Sequence, residues 1–255
     1  MFKVLVTGAS QGIGEALALE FAKRGAALIL VARTQAKLEK VAERCKVAGS
    51  PEVKVLSVDL SNSSAWDLVS QAADAFDVDV LVNNAGYGLW GEFEKTSLDE
   101  QQKNMRLNMD AVVALTHKIL PVLKRHPVSY VLNVASTTAF QAMPTFAVYA
   151  ASKSFVLLWS RAIHHELKSS GVKVTALVPG ATDTGFIDRA GLQHAAEAAK
   201  KVSMTAEAVA RLGIEGLLKG KIEVVPGLVN KASAFAIPML PKKWIEKAAA
   251  SIYKK

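Results

Sequence analysis

This 255-residue sequence is short of several residue types and patterns, and each shortage removes a class of protein. Its single cysteine, Cys45, forms no disulfide within the chain and falls in a charged segment of helical period, so it reads as an incidental thiol and lends no support to an oxidising compartment. Neither Cys-x-x-Cys nor His-Glu-x-x-His occurs, and the adjacent His164 and His165 would project about 100° apart on a helix. No metal site is expected. No window reaches the ~18 uninterrupted apolar residues of a membrane span. The opening run Met1-Phe2-Lys3-Val4-Leu5-Val6 is too short for the apolar stretch of a signal peptide and reads as a buried first strand. Together these absences predict a cytoplasmic protein.

At 51% hydrophobic and 21% charged residues, with no low-complexity stretch, the composition is that of a folded globular chain. The net charge of +8 would suit nucleic acid if it were spread over the surface, but residues 242–255 alone hold five lysines and one glutamate. Half the excess therefore sits in a tail beside the apolar run 232–240, and no nucleic-acid partner is expected. Residues 228–255 read as a basic amphipathic C-terminal extension, packed on the domain or on a second subunit. Peripheral attachment to acidic lipid is the alternative.

Short β-branched runs alternate with segments of helical period. Seven strands are predicted, at 4–6, 27–31, 53–58, 78–82, 130–134, 172–178 and 222–225, with helices at about 12–24, 34–47, 62–76, 97–125, 145–169 and 205–219. A crossover after each strand requires a parallel sheet, and continuous apolar strands require helices on both faces. The expectation is a single-domain, three-layer α/β fold of Rossmann type, doubly wound on a seven-stranded parallel sheet over residues 1–227. Ligands should lie beyond the carboxyl ends of the strands. Residues 181–204 interrupt the rhythm, with Gly185 and Gly191 and no core stripe, and read as a lid.

Thr7-Gly8-Ala9-Ser10-Gln11-Gly12-Ile13-Gly14 lies between the first strand and the first helix. Gly8 permits the tight turn, Gly12 lets backbone approach a phosphate, Gly14 allows close helix packing, and the helix N-terminus offers N–H donors to an anion, with Ser10, Gln11 and Ile13 beside it. A site selective for NAD usually ends its second strand on an acid; this chain has Ala32 and then Arg33, a permanently charged fork suited to a 2′-phosphate, with Ser10 and Lys37 nearby. NADP(H) is the expected cofactor. Asp59, before Leu60, is either an acceptor for the adenine amino group or an N-cap of the next helix. Asn83-Asn84-Ala85-Gly86 brings small residues close under a flat ligand.

Ser136 follows the fifth strand, Tyr149 comes thirteen residues later, and Lys153 lies four beyond on the same helix face. A tyrosine hydroxyl ordinarily titrates near ~10, too high for efficient proton exchange at neutral pH, and a neighbouring ammonium favours its phenolate. Tyr149 thereby becomes a usable acid/base.

The Thr-Gly-x-x-x-Gly-x-Gly turn, Asn-Asn-Ala-Gly, Asn108 in a long helix, Ser136, Tyr149-x-x-x-Lys153 and Pro179-Gly180, in this order of strands and helices, resemble the short-chain dehydrogenase/reductase superfamily over residues 2 to 227. The segments 133–140, 179–186 and 225–230 look like a bacterial, DltE-like branch of uncharacterised reductases. The resemblance implies that Tyr149 passes the proton, Lys153 assists it and holds the nicotinamide ribose, Ser136 hydrogen-bonds the carbonyl, and Asn108 anchors a water. It further implies that Pro179, Gly180, Thr182 and Thr184 line the nicotinamide end, and that the protein is a homodimer or homotetramer. Gln11 departs from the basic residue that many NADP-binding members carry there. Trp90, Phe140, Met143, Phe146 and Phe186 fall near the expected site and would suit an apolar ketone or aldehyde. A cofactor-binding sensor or scaffold without turnover is the competing reading.

Overall fold

The computed structural model describes residues 1–184 and 203–253, with side chains to Ala250. Its main sheet has the order β3-β2-β1-β4-β5-β6-β9. Those strands are β1 (Lys3–Thr7), β2 (Ala27–Ala32), β3 (Val53–Ser57), β4 (Val80–Asn83), β5 (Ser129–Val134), β6 (Val172–Leu177) and β9 (Glu223–Val224), and every pairing is parallel. The seven-stranded doubly wound sheet is as expected. A further parallel pair, β7 (Thr182–Asp183) with β8 (Met204–Thr205), holds together the two ends of the segment expected to be a lid. The interior of that segment, with Phe186, lies outside the described residues.

Alternation along the strands divides the core. Val4, Val6, Leu28, Leu30, Val80, Val82, Leu132 and Val134 face one layer, made by α1 (Gly12–Ala22), α2 (Gln35–Val47) and α7 (Ala206–Leu218). Leu5, Ile29, Val31, Leu81, Val131 and Val174 face the other, against α3 (Ser64–Phe76) and α5 (Ala111–Leu123). Both sheet faces are therefore dry, which is why these strands are apolar at consecutive positions. Cys45 is fully buried on α2, and burial pushes its thiol up to about 12, as befits an inert side chain.

The predicted helix 97–125 is two helices, α4 (Leu98–Met105) and α5, joined by a π turn at Arg106–Asp110. Asn108, inside that turn, is fully buried. Single π turns inside helices often re-aim a functional side chain, and here the inserted residue turns Asn108 toward the carboxyl edge of the sheet. Beyond α6 (Ala147–Glu166) and α7, the extension forms α8 (Leu228–Ala236) and α9 (Lys242–Tyr253). Among the described residues, no helix is long and apolar enough to cross a membrane. No cluster of three metal-ligating side chains occurs among them either.

Candidate active site

The glycine turn leaves β1 through Gly8 and enters α1 at Gly12, both with positive φ, 65° and 63°. Gln11 occupies the N-cap of α1 but makes no side-chain cap, so the first N–H groups of the helix face the cavity without a side-chain acceptor. A Cβ on Gly14 would fall on the Gly8 carbonyl oxygen and the Asn84 amide, and one on Gly8 would lie 2.8 Å from the Ala85 Cα. The turn is pinned from beneath. Asn84 donates from its side-chain amide to the Thr7 and Gly8 carbonyls at 3.0 and 3.2 Å, while Thr7 Oγ1 accepts from the backbone N–H of Asn84 and Ala85. Thr184 approaches from above, its side chain 3.2 Å from where a Gly12 Cβ would stand.

The turn opens on a cavity of about 420 Å³ that runs along the carboxyl edge of the sheet. At one end lie Ser10, Gln11, Ala32, Arg33, Thr34 and Lys37. Lys37 donates to the Gln11 side chain at 3.1 Å, and Arg33 makes no ion pair among the described residues. Two exposed cations thus flank the end of β2, where no carboxylate stands. Asp59 and Leu60 line the same stretch. One Asp59 oxygen accepts from the Ser61 backbone and hydroxyl at 2.9 and 2.8 Å, so it closes a local turn; the N-cap of α3 is Ser63.

At the other end, Ser136, Tyr149 and Lys153 line the cavity together, with Ala85, Gly86, Pro179, Gly180, Thr182 and Thr184. Ser136 caps the short 3₁₀ turn Thr137–Phe140, accepting from the Thr138 N–H at 3.2 Å. Tyr149 packs its ring on Phe146, centroids 4.5 Å apart. Lys153, one helical turn on, donates to the Val134 carbonyl at 2.8 Å and stands 5.8 Å from the Tyr149 ring centroid. Asn108 does not line the cavity. It sits behind it, accepting from the Tyr87 N–H and donating to the Tyr87 carbonyl, Asn104 and Ser152. Gly86 makes room for this approach, since a Cβ there would meet Asn108 Oδ1 at 2.9 Å and Lys153 Nζ at 3.4 Å.

Burial lowers Lys153 to about 8 from its usual 10.5. Because the folded state disfavours the ammonium, its charge costs stability below about 8, and that cost is relieved as pH rises from about 8 toward 10.5. Lys153→Met should therefore melt above the parent protein at pH 7 when no cofactor is present. The gap should narrow over that alkaline window in thermal melts; a gap that widened would contradict the burial account.

Two predicted cofactor residues lie off the cavity wall. Gly12 stands behind Thr184, while Asn83 turns into a buried polar network, donating to Thr116 Oγ1 and Asn133 Oδ1 at 2.9 Å each, with Asn133 donating on to Ser160. Of the apolar residues expected around a substrate, Phe146 lines the cavity. Met143 and Trp90 pack beside it, whereas Phe140 packs against Ala135, Val156 and Val178. The Met143–Phe146 loop is strained at Thr145, whose φ is 64° although it is not glycine. Tyr87, Thr34 and Thr138 also line the cavity. No motif in the sequence marks them, although Tyr87 directly follows Asn-Asn-Ala-Gly.

A glycine turn under an open helix N-terminus, sharing one cavity with a buried serine, tyrosine and lysine at the carboxyl edge of a parallel sheet, defines a protein of the Rossmann class. The chain belongs to the short-chain dehydrogenase family, whose model, described as "short chain dehydrogenase", matches residues 3–195. It is 32% identical over 179 residues to the very-long-chain 3-oxoacyl-CoA reductase of Mus musculus, a match covering 69% of this chain and 57% of that protein. It is 28% identical over 241 residues to human 17-beta-hydroxysteroid dehydrogenase type 3, covering 91% of this chain and 77% of the relative. Among solved structures, the short-chain dehydrogenase from Sphingobium yanoikuyae in complex with NADPH superimposes with a TM-score of 0.84 at 27% identity, covering 100% of this chain and 97% of that one.

Proposed function

We propose that this protein is an NADP(H)-dependent reductase of an apolar ketone or aldehyde, working through Tyr149, Lys153, Ser136 and Asn108 in the cytoplasm. The observation that carries the reading is that the glycine turn, the Arg33–Lys37 cation pair and the Ser136–Tyr149–Lys153 group open on one continuous cavity. The fit to a 2′-phosphorylated dinucleotide rests on the uncapped N-terminus of α1, on the glycines whose Cβ atoms would obstruct the turn, and on two cations where an NAD site would hold an acid.

When bound, NADPH supplies the hydride. The Tyr149 hydroxyl donates its proton to the oxygen of the substrate carbonyl as charge develops there, and the Lys153 ammonium favours the phenolate left behind. Ser136 Oγ donates a hydrogen bond to the same oxygen. Asn108, held by four hydrogen bonds to Tyr87, Asn104 and Ser152, acts through its position behind Lys153 and Gly86. Phe146, with Met143 and Trp90 behind it, offers an apolar wall, which favours carbonyls with an apolar body. Assembly into a dimer or tetramer through the long helices is supported by α6, which exposes Phe155 and Leu158 and stacks Phe155 on Trp159.

An NADPH-depletion screen over aldehydes, ketones, keto-acyl esters and steroids tests the reading. Turnover concentrated on apolar carbonyls is expected, and cofactor binding with no turnover across the panel would instead make the protein a sensor or scaffold. Arg33→Asp should lower kcat/KM with NADPH by on the order of 10- to 100-fold relative to NADH, the worth of one or two charge-assisted hydrogen bonds. An unchanged cofactor preference would remove Arg33 from the 2′-phosphate site.

A further inference from the structure

The extension presents two unlike faces. Its inner side packs against residues of the substrate end. Asn230 in α8 stands where a Cβ on Gly180 would fall, and Ala249 in α9, 3% exposed, packs in one cluster with Met143, Phe146, Tyr149 and Trp90. Its outer side is apolar and cationic. Leu228, Phe235, Met239 and Trp244 are 83%, 74%, 71% and 72% exposed, with Val229 and Leu240 also open to solvent. Lys231, Lys242, Lys243 and Lys247 are exposed among them, and Glu246 is the one acidic residue between Leu228 and Tyr253.

We propose that α8 and α9 form an interfacial element that seats this protein on an anionic lipid surface, with the substrate end of the cavity directly beneath the seated face. Two aromatic and several aliphatic side chains in open solvent, interspersed with lysines, match what an interfacial helix needs: apolar groups to enter the acyl boundary and cations for acidic headgroups. The charge pattern also decides between occupants. Apposing this face to its own copy would set lysine against lysine, whereas anionic headgroups complement it. Because the same two helices pack on Gly180, Phe146 and Tyr149 of the substrate end, an apolar carbonyl compound dissolved in the bilayer would reach Tyr149 by a short route. This last step rests on the reductase reading above.

The test uses the full chain with phosphatidylcholine vesicles, with and without phosphatidylserine. The protein should sediment with phosphatidylserine-containing vesicles at low salt, release as salt rises, and stay in the supernatant with phosphatidylcholine alone. Combined Lys242→Glu, Lys243→Glu and Lys247→Glu should weaken vesicle binding by about 100-fold or more. Trp244→Ala should weaken it with the charges intact. Both variants should keep the parent's NADPH turnover of a short, water-soluble ketone, while the charge-reversed one loses rate on a long-chain ketone held in vesicles. A parent chain that ignores anionic vesicles overturns the proposal. So does a Trp244→Ala variant whose particle mass by light scattering drops, since the face would then join copies of the chain. Vesicle binding without turnover of any ketone would leave the docking intact and refute the reductase reading alone.

Discussion

Tyr149→Phe should lower kcat by about 10³-fold while leaving NADPH affinity within about twofold of the parent, because general acid catalysis is worth roughly 10² to 10⁴ and the substitution removes one hydroxyl. Tyr149 is 6% exposed, its ring packed on Phe146 with centroids 4.5 Å apart, and a phenylalanine retains that contact. Lys153 keeps its bond to the Val134 carbonyl, and the glycine turn is not touched. Binding and chemistry are thereby separated within one side chain. Fluorescence titration with NADPH and single-turnover oxidation of bound NADPH measure the two quantities. A variant that turns over within tenfold of the parent would mean another group delivers the proton. One that lost NADPH binding would mean Tyr149 holds the cofactor more than it serves the reaction.

That Ser136, Tyr149 and Lys153 meet in one cavity was legible because their grouping depends on local spacing. Tyr149 and Lys153 sit one helical turn apart, so their shared direction follows from helix geometry, and Ser136 follows a strand whose carboxyl end must face the ligand. The sheet was legible because burial on both faces leaves apolar residues at consecutive positions. What the sequence could not reveal depends on partners far along the chain. The π turn at Arg106–Asp110 breaks a helix whose residue pattern runs on without interruption, and its reason is the contact of Asn108 with Tyr87, 21 residues away. Asn83 reads as part of a turn, yet it is the last residue of β4, in register with Asn133 of β5, and the two bond to each other in the interior. Two polar residues at or next to the carboxyl ends of neighbouring parallel strands were a signal available in the sequence. The inner contact of the extension left no such trace, since the residue that reaches Met143 and Phe146 is an alanine among alanines.

Gly14→Ala should weaken NADPH binding by on the order of 100-fold or more and cost roughly 1–3 kcal/mol of stability, the usual penalty for overpacking a close-fitted site. The new methyl would land on the Gly8 carbonyl oxygen and the Asn84 amide, and neither can move freely. That amide already spans the Thr7 and Gly8 carbonyls, and the Thr7 hydroxyl ties β1 to the backbone of Asn84 and Ala85 while donating to the Val82 carbonyl at 3.1 Å. Relieving the clash shifts the turn away from the N-terminus of α1, and the donors meant for the pyrophosphate no longer converge. Gly25→Ala supplies the comparison. Its φ of 73° makes a side chain costly, by roughly 1–2 kcal/mol, but nothing lies within 4 Å of the added carbon and the residue is remote from the cavity. Both variants should lose stability in thermal melts, and only Gly14→Ala should lose NADPH in calorimetric titration. Equal losses of affinity would mean that general destabilisation accounts for the effect. Parent-like binding by Gly14→Ala would move the pyrophosphate away from this turn.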